Sequence, residues 1–532
     1  MRRMTDATAA RPPAPAAARR LLALAPPHGF TATWLLLSAA TVAVLCSTGF
    51  LPFYDYYQWL FQGHVVAVLL FGADPGSGAI ADAYSLSPVP VPNLAAPVVI
   101  GLLDTVLPIE VAGRVFVVVT VLGFACAFGH LVRTIQQRST AVEFLGFPWA
   151  MGFFLYKGYL SYAFGLALMF VLVATLHRLT DRPAGDHRRT LLVVAAVGVL
   201  LYLSHLLAWI MGGLAVLVHA LVLARQGRRR TPGQLVATLS PGAVLAAWYL
   251  LADRGGTGIT LYPSWREKAI ALTETLQFFL RSDPFPPALP LFWINVALAL
   301  AFVGIVLSRL DVRAIGTAVS TRPVLWLSIA RAAVALLLPI STVNDLIKPD
   351  ERFVAPALLL AAAALPYRPG RLRVTVLGPA LAAAVVALHL VEYVDVGQRI
   401  ARVDAATDAA VPATTDVLDL TVPSRYGCDP TAGPVTGVPV LKWFAVDHAL
   451  EGGPARVNVE ETSLVHARGS TPPDATVLTL DVPEVATAVL PASAPYVEVV
   501  ACPADLAAIR QVLAPRYRSI ADGDTYAILA RT

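Results

Sequence analysis

A single carboxylate, Asp55, stands in the stretch FYDYYQWLFQGH between Tyr54, Tyr56, Tyr57 and Trp59, with His64 further along. A carboxylate within hydrogen-bond reach of a hydroxyl can take its proton as a general base. The aromatic faces around it suit a stacked sugar ring, and they equally suit a belt at a membrane–water interface. Asp55 also suits the N-cap of a helix starting at Tyr56, a bland role worth about 1 kcal/mol.

A second cluster, STVNDLIKPDERF at 341–353, sets Lys348, Asp350, Glu351 and Arg352 between two apolar runs. Short loops are commonly polar, yet Arg352 stands at the very start of a run, and a guanidinium offers a planar fork of donors suited to phosphate. Arg331 lies in the middle of PVLWLSIARAAVALLLP. A charge inside a membrane is costly and marks a functional site unless it snorkels or pairs with another helix. Lys157 in FFLYKGYLSYAFG and His205 in LYLSHLLAW sit near the ends of their runs. A lone histidine there is more often a packing residue than a ligand. His64, Lys157, His205, Asp350 and Glu351 join the aromatics as candidate substrate-binding residues.

These residues must be positioned by membrane helices. Of 532 residues 57% are hydrophobic and 14% charged, against roughly 45–50% and ~25% in soluble domains. The net charge of +5 is spread over short loops between apolar runs, which excludes a nucleic-acid partner. A crossing needs about 20 apolar residues. Candidate spans lie at 31–51, 110–132, 141–156, 160–178, 190–207, 208–224, 233–252, 288–307, 323–341, 352–366 and 373–392, about eleven in all. The chain thus reads as a polytopic α-helical membrane protein. Residues 1–30 form a basic, disordered N-terminus with no evident cleavable signal, and 31–392 the transmembrane domain. Arginine clusters alternate with arginine-poor loops, which puts the N-terminus in the cytoplasm and the C-terminus outside. The external loops are then 52–109, with two interfacial helices near 56–71 and 93–108, and 253–287. Residues 393–532 read as a small extracytoplasmic α/β domain, with strands in ATVLTLDVP, APYVEVVAC and TYAILAR and a helix in PADLAAIRQVL. An oxidising exterior permits a Cys428–Cys502 disulfide; two free buried thiols fit the sequence equally well.

No Walker A, GxSxG, HExxH or metal-spaced Cys/His set occurs. The polar candidates sit at the ends of spans, which favours chemistry at the membrane surface. The architecture, together with FYDYYQWL, PNLAAPVVIGLLDTVLPIEVAGR, YKGYLSYAFGLAL and LYLSHLLAW, resembles uncharacterised bacterial multispanning proteins of the GT-C glycosyltransferase superfamily. The resemblance implies a GT-C-like bundle in the bacterial cytoplasmic membrane. It implies transfer of a sugar, with inversion, from a polyprenyl-phosphate donor to a glycan or glycolipid acceptor of the cell envelope. Asp55 would be the base, and Arg352, with Lys348 or Arg331 behind it, would hold the donor phosphate. Some relatives have a paired acid soon after the first span, where this chain has only Asp55; the departure argues against an obligatory metal, although PDER can supply oxygen ligands to a divalent ion. Two other classes fit the sequence: a non-catalytic glycan-binding or assembly protein of the membrane, and a lipid or glycan transporter.

Overall fold

The computed structural model describes residues 28–532 except 54, 74–77, 182–186, 229, 253–263, 267, 270–274, 277, 279–289, 309, 339–348, 369–375, 413–414, 416, 422–464, 468–476, 480–481, 486–488 and 490–493. The helices that carry the architecture are α1 (His28–Leu45), α2 (Tyr56–Val66), α3 (Ala95–Asp104), α4 (Ile109–Gln136), α5 (Leu160–Asp181), α6 (Arg188–Ser204), α7 (Leu206–Arg225), α8 (Ser240–Ala252), α9 (Pro290–Ser308), α10 (Pro323–Leu337), α11 (Pro349–Ala364), α12 (Leu377–Ala410) and α13 (Pro503–Leu513).

The bundle is built on α5. It packs against α4, α6 and α7, while α10 packs on α11 and α2 on α3. Helix α4 shows why these sequences form membrane helices. Ala112, Phe116, Val117, Val121, Phe124 and Phe128 face the protein, and Val111, Val115 and Val119 form an exposed apolar stripe one turn apart. A helix apolar on all sides has no polar face to offer water and reads as a membrane span. Five helical segments are long and apolar enough to cross a membrane: Ile109–Gln136, Leu160–Asp181, Leu206–Arg225, Thr231–Ala252 and Leu377–Asp395. A sixth is obtained if Val312–Val319 and Pro323–Leu337, bent by 88°, count as one. The expected eleven is therefore corrected to five or six among the described residues. Helices occur at the other expected positions, but they are too short or are interrupted. Residues 141–156, for example, are a 3-10 turn and two short helices broken at Gly152. Since eleven spans had fixed the side on which the tail lies, that inference lapses with the count.

The two helices of the first long loop also differ from expectation. The tyrosines of helix α2 are turned into protein and do not form a free aromatic face. Tyr56, Tyr57, Leu60, Phe61, Val65 and Val66 are all buried in protein. It continues as a π-helical turn, Ala67–Phe71, which ends at Gly72 with φ +65°. Helices α2 and α3 approach at a pair of glycines: a Cβ on Gly101 would lie 2.6 Å from the Gly63 carbonyl oxygen. Side chains there would force the helices apart.

Polar side chains close the opposite helix ends. The last carbonyls of a helix lack intrahelical donors. At the end of α11, Gln136 Nε2 donates to Ala363 O at 2.7 Å and Leu365 O at 2.8 Å, and Arg322 donates to Ala364 O at 2.6 Å. Arg133 pairs with the fully buried carboxylate of Glu143 at 2.5 Å.

Helix α12 runs 34 residues, well past the boundary expected at 392, and carries the bundle into the C-terminal unit. There the strands are β2 (Val417–Thr421), β4 (Val477–Thr479), β5 (Tyr496–Val500), β6 (Tyr517–Asp522) and β7 (Tyr526–Arg531), in the order β4-β2-β5-β7-β6. Strand β2 is parallel to β4 and β5, and β7 is antiparallel to β5 and β6. Alternation sends Val497 and Val499 into one face, packed with Leu506, Ile509 and Leu513 of α13. The other face carries Val417 and Ile528 beneath Ala406 and Ala410 of α12. Glu498, opposite in phase to the valines, is buried and accepts from Thr407 Oγ1 of α12 at 2.7 Å. A further two-stranded ladder pairs β1 (Tyr84–Leu86), from the first long loop, with β3 (Val465–Ala467), antiparallel, Tyr84 opposite Ala467. Cys46 and Cys126 are free, and Cys502 is disulfide-bonded. Cys428 lies outside the described residues.

Candidate functional site

Residues 157–162, KGYLSY, run from the end of the short helix Phe153–Tyr156 into the first turn of α5. The chain reverses at Gly158, whose φ of +75° is the left-handed conformation that glycine adopts without penalty. Gly158 also lies against the backbone of Asp55: a Cβ there would meet Asp55 N at 2.4 Å and Asp55 Cα at 2.8 Å. Trp59, one turn into α2, donates from Nε1 to Gly158 O at 2.7 Å. The joint is thus gripped by Asp55 and Trp59 together. Asp55 occupies the N-cap position of α2 with φ −97° and ψ 11°, and its side chain makes no capping hydrogen bond. The bland role for this carboxylate, capping the helix behind it, is not the one it plays. It is half-buried.

On the other flank of the joint lies Arg352, in the first turn of α11. Its guanidinium carbon stacks 4.2 Å from the centroid of the Tyr159 ring and 5.7 Å from that of Tyr162. Tyr162 Oη donates to the Arg352 carbonyl. Tyr159 and Tyr162 are three apart, on one face of the start of α5, so both rings meet the same cation. Arg352 is 9% exposed, and its buried Nε has no hydrogen-bond partner. Among the described residues no carboxylate pairs with it.

His205 completes this pocket from the α6–α7 junction, where its extended backbone (φ −169°, ψ 132°) separates the two helices. The ring packs edge-on against Tyr162 at 5.1 Å. Its Nδ1 accepts from the Leu207 amide at 3.1 Å, and its Nε2 lies 2.9 Å from Arg352 Nη1. A neutral imidazole has one acceptor nitrogen. The Leu207 amide and the Arg352 guanidinium therefore compete for that one lone pair, and the tautomer decides which of them it serves.

The remaining candidates separate. Arg331 is fully buried one layer deeper, donating to Met211 O at 2.8 Å and to Met169 Sδ at 3.2 Å. Tyr162 lies within electrostatic range of both Arg331 and Arg352. Lys157 is half-buried on the joint, its Nζ 5.5 Å from the Tyr156 ring and 5.9 Å from the Phe153 ring. His64 is committed to Asp104 of α3, Nδ1 to Oδ2 at 2.8 Å. Tyr56 and Tyr57 are core residues: Tyr56 packs on Phe53 and its hydroxyl reaches Glu110 O at 3.4 Å, and Tyr57 packs on Phe50. Trp59 serves the joint through its indole nitrogen. Glu351 is buried beside Arg352. Tyr54, Lys348 and the side chain of Asp350 lie outside the described residues. Among the described residues no three His, Cys, Asp or Glu side chains converge as a metal site.

Gly158, Tyr159 and Tyr162 escaped the sequence reading. The signal was available in part: a glycine directly before tyrosines at i and i+3, between two apolar runs, is the pattern of a reversal that presents two rings on one side. No family model matches the chain. No curated protein matches it either.

Proposed function

We propose that the protein is a membrane glycosyltransferase of GT-C type, moving a sugar from a polyprenyl-phosphate donor to a glycan or glycolipid acceptor at the extracytoplasmic face of a bacterial membrane. The observation that carries the reading is the convergence of Asp55 and Arg352 on one six-residue joint, Asp55 against Gly158 and Arg352 against Tyr159. Asp55 takes the proton of the acceptor hydroxyl as its oxygen attacks the anomeric carbon. The bond from that carbon to the phosphate oxygen breaks, and the electron pair leaves with the polyprenyl phosphate. Arg352, with His205 beside it, receives the developing charge. Among the described residues no carboxylate pairs with Arg352, so no ion pair has to be broken to admit a phosphate, and its buried Nε is free to donate to one. Tyr159 holds the guanidinium plane in place, a contact worth ~0.5–2 kcal/mol.

The test is transfer by the purified full chain in lipid nanodiscs, offered a panel of polyprenyl-phosphate monosaccharides. Asp55→Asn abolishes transfer while donor binding persists, and Arg352→Gln weakens donor binding. Unchanged turnover in Asp55→Asn would remove that residue from the chemistry. Movement of a labelled lipid across the bilayer with no transfer product would replace the enzyme with a transporter.

A further inference from the structure

Helix α12 carries a polar group that the reaction above leaves unused. His389, Glu392 and Tyr393 lie on one face of it, 0%, 5% and 1% exposed. His389 Nδ1 is 3.2 Å from Glu392 Oε2. The carboxylate accepts the Nδ1 proton, which leaves the lone pair of Nε2 as an acceptor. That Nε2 is buried with no hydrogen-bond partner, and so is the hydroxyl of Tyr393, one helical turn on. The two rings are neighbours, 5.1 Å between centroids. Each unsatisfied buried polar group costs ~1–3 kcal/mol, so an acceptor and a donor side by side call for a third group that satisfies both. A hydroxyl does this, donating to Nε2 and accepting from Tyr393.

Where the pair sits narrows the choice of hydroxyl. The Tyr393 ring packs edge-on against Phe53 at 5.6 Å. Phe53 is two residues before Asp55, and its carbonyl accepts from the Tyr56 amide across Asp55 at 3.3 Å. Four residues on along α12, Gly397 leaves room for Thr48, on the same connection from α1; a Cβ would come 1.8 Å from Thr48 Oγ1. The connection carrying Asp55 is thus laid directly on this part of α12.

We propose that His389 and Tyr393 form a subsite for a carbohydrate hydroxyl next to Asp55. The inference rests on the glycosyltransferase reading for its ligand class but not for its chemistry. It is tested on the full chain in nanodiscs, labelled with 15N-histidine, by following the His389 Nε2 resonance, which is assigned by its loss in His389→Gln. The probes are the methyl glycosides of glucose, mannose, galactose and arabinose, and, separately, polyprenyl-phosphate monosaccharides. A saturable shift of Nε2 with a methyl glycoside, weakened about tenfold in Tyr393→Phe, supports a subsite for the acceptor sugar. A shift seen only with the lipid-linked sugars supports the subsite and gives it to the donor sugar. A resonance that no sugar moves, with Nε2 already hydrogen-bonded in the free protein, means a resident water and overturns the proposal. A shift of equal strength in Tyr393→Phe overturns it too. Asp55→Asn separates this proposal from the one it rests on. If that variant still transfers sugar while the Nε2 shift persists, the base assignment falls and the subsite stands.

Discussion

Replacing Gly158 strikes the joint between the carboxylate and the guanidinium. An alanine there carries two costs. The left-handed backbone at φ +75° costs an L-residue roughly 1–2 kcal/mol. The new Cβ would stand 2.4 Å from Asp55 N and 2.8 Å from Asp55 Cα, atoms of the main chain that cannot rotate away. To restore ordinary contact the Asp55 backbone must retreat by roughly 1 Å. The 2.7 Å bond from Trp59 Nε1 to Gly158 O stretches with it, at a cost of about 1 kcal/mol. Together these amount to about 2–3 kcal/mol of stability. A displacement of ~1 Å at a catalytic group can lower a rate by about 10²-fold. Gly158→Asn separates the two costs, because asparagine tolerates the left-handed region yet carries the same Cβ. The expected order in transfer rate is therefore glycine far above asparagine, with asparagine close to alanine, while denaturation in detergent shows asparagine recovering about 1 kcal/mol relative to alanine. If asparagine restores both rate and stability to those of the native protein, the close approach to Asp55 does not matter and the geometry of the site as drawn here is wrong.

Three other perturbations have worked directions. Arg352→Lys keeps the charge but loses the planar stack on Tyr159 and the fork of donors; donor KM should rise about tenfold with kcat changed less, and equal KM in the two proteins would argue against phosphate recognition by the fork. Glu498 has its pKa pushed up to about 7, first by burial, with Asp404 and Asp408 adding to the shift and the Thr407 hydrogen bond opposing it. Its folded-state value lies above the unfolded one, so its contribution is fully present below about pH 4.5 and is lost as pH rises through about 7. Thermal melts of the native chain should therefore weaken by ~2–3 kcal/mol across that window, and Glu498→Gln should flatten this dependence; an equal slope in the variant assigns it elsewhere. Glu143→Ala removes the buried partner of Arg133, whose own side chain is 27% exposed, and should cost ~1–3 kcal/mol in detergent denaturation; an unchanged denaturation would mean that the pair contributes nothing to stability.

The physics of the bilayer is written plainly in this chain, and that is why helices occur at every long apolar run. Their lengths are less legible. Hydropathy sees the run through Gly152 as continuous, whereas the backbone there leaves the helical region, with ψ −142°. It sees the end of the last run near residue 392 but not that the helix persists to Ala410 on a polar surface. The aromatics around Asp55 illustrate a deeper limit. A tyrosine suits headgroups, sugars and protein cores for the same amphipathic reason, so composition alone cannot say which of the three it meets. Tyr56 and Tyr57 met the core. Asp55, Arg352, Lys157 and His205 were legible as candidates from residue type and position. The contact between Arg352 and His205 spans 147 residues of sequence, and no local pattern carries it. His389, Glu392 and Tyr393 were invisible because a histidine, a glutamate and a tyrosine near the end of a span read as ordinary surface polarity.

The ladder of Tyr84–Leu86 with Val465–Ala467 ties an early loop to a late one. Every helix from α3 to α12 lies between them in the chain, so this seam can close only after those helices have been synthesised. Contacts so distant in sequence are slow to form, and until then the early strand waits with its edge open. A protein cut short after α12 would leave that edge permanently bare, an invitation to pairing between molecules. Strand β3 is therefore a fastening for the first long loop, and shortening the protein to its membrane helices would leave β1 without its partner.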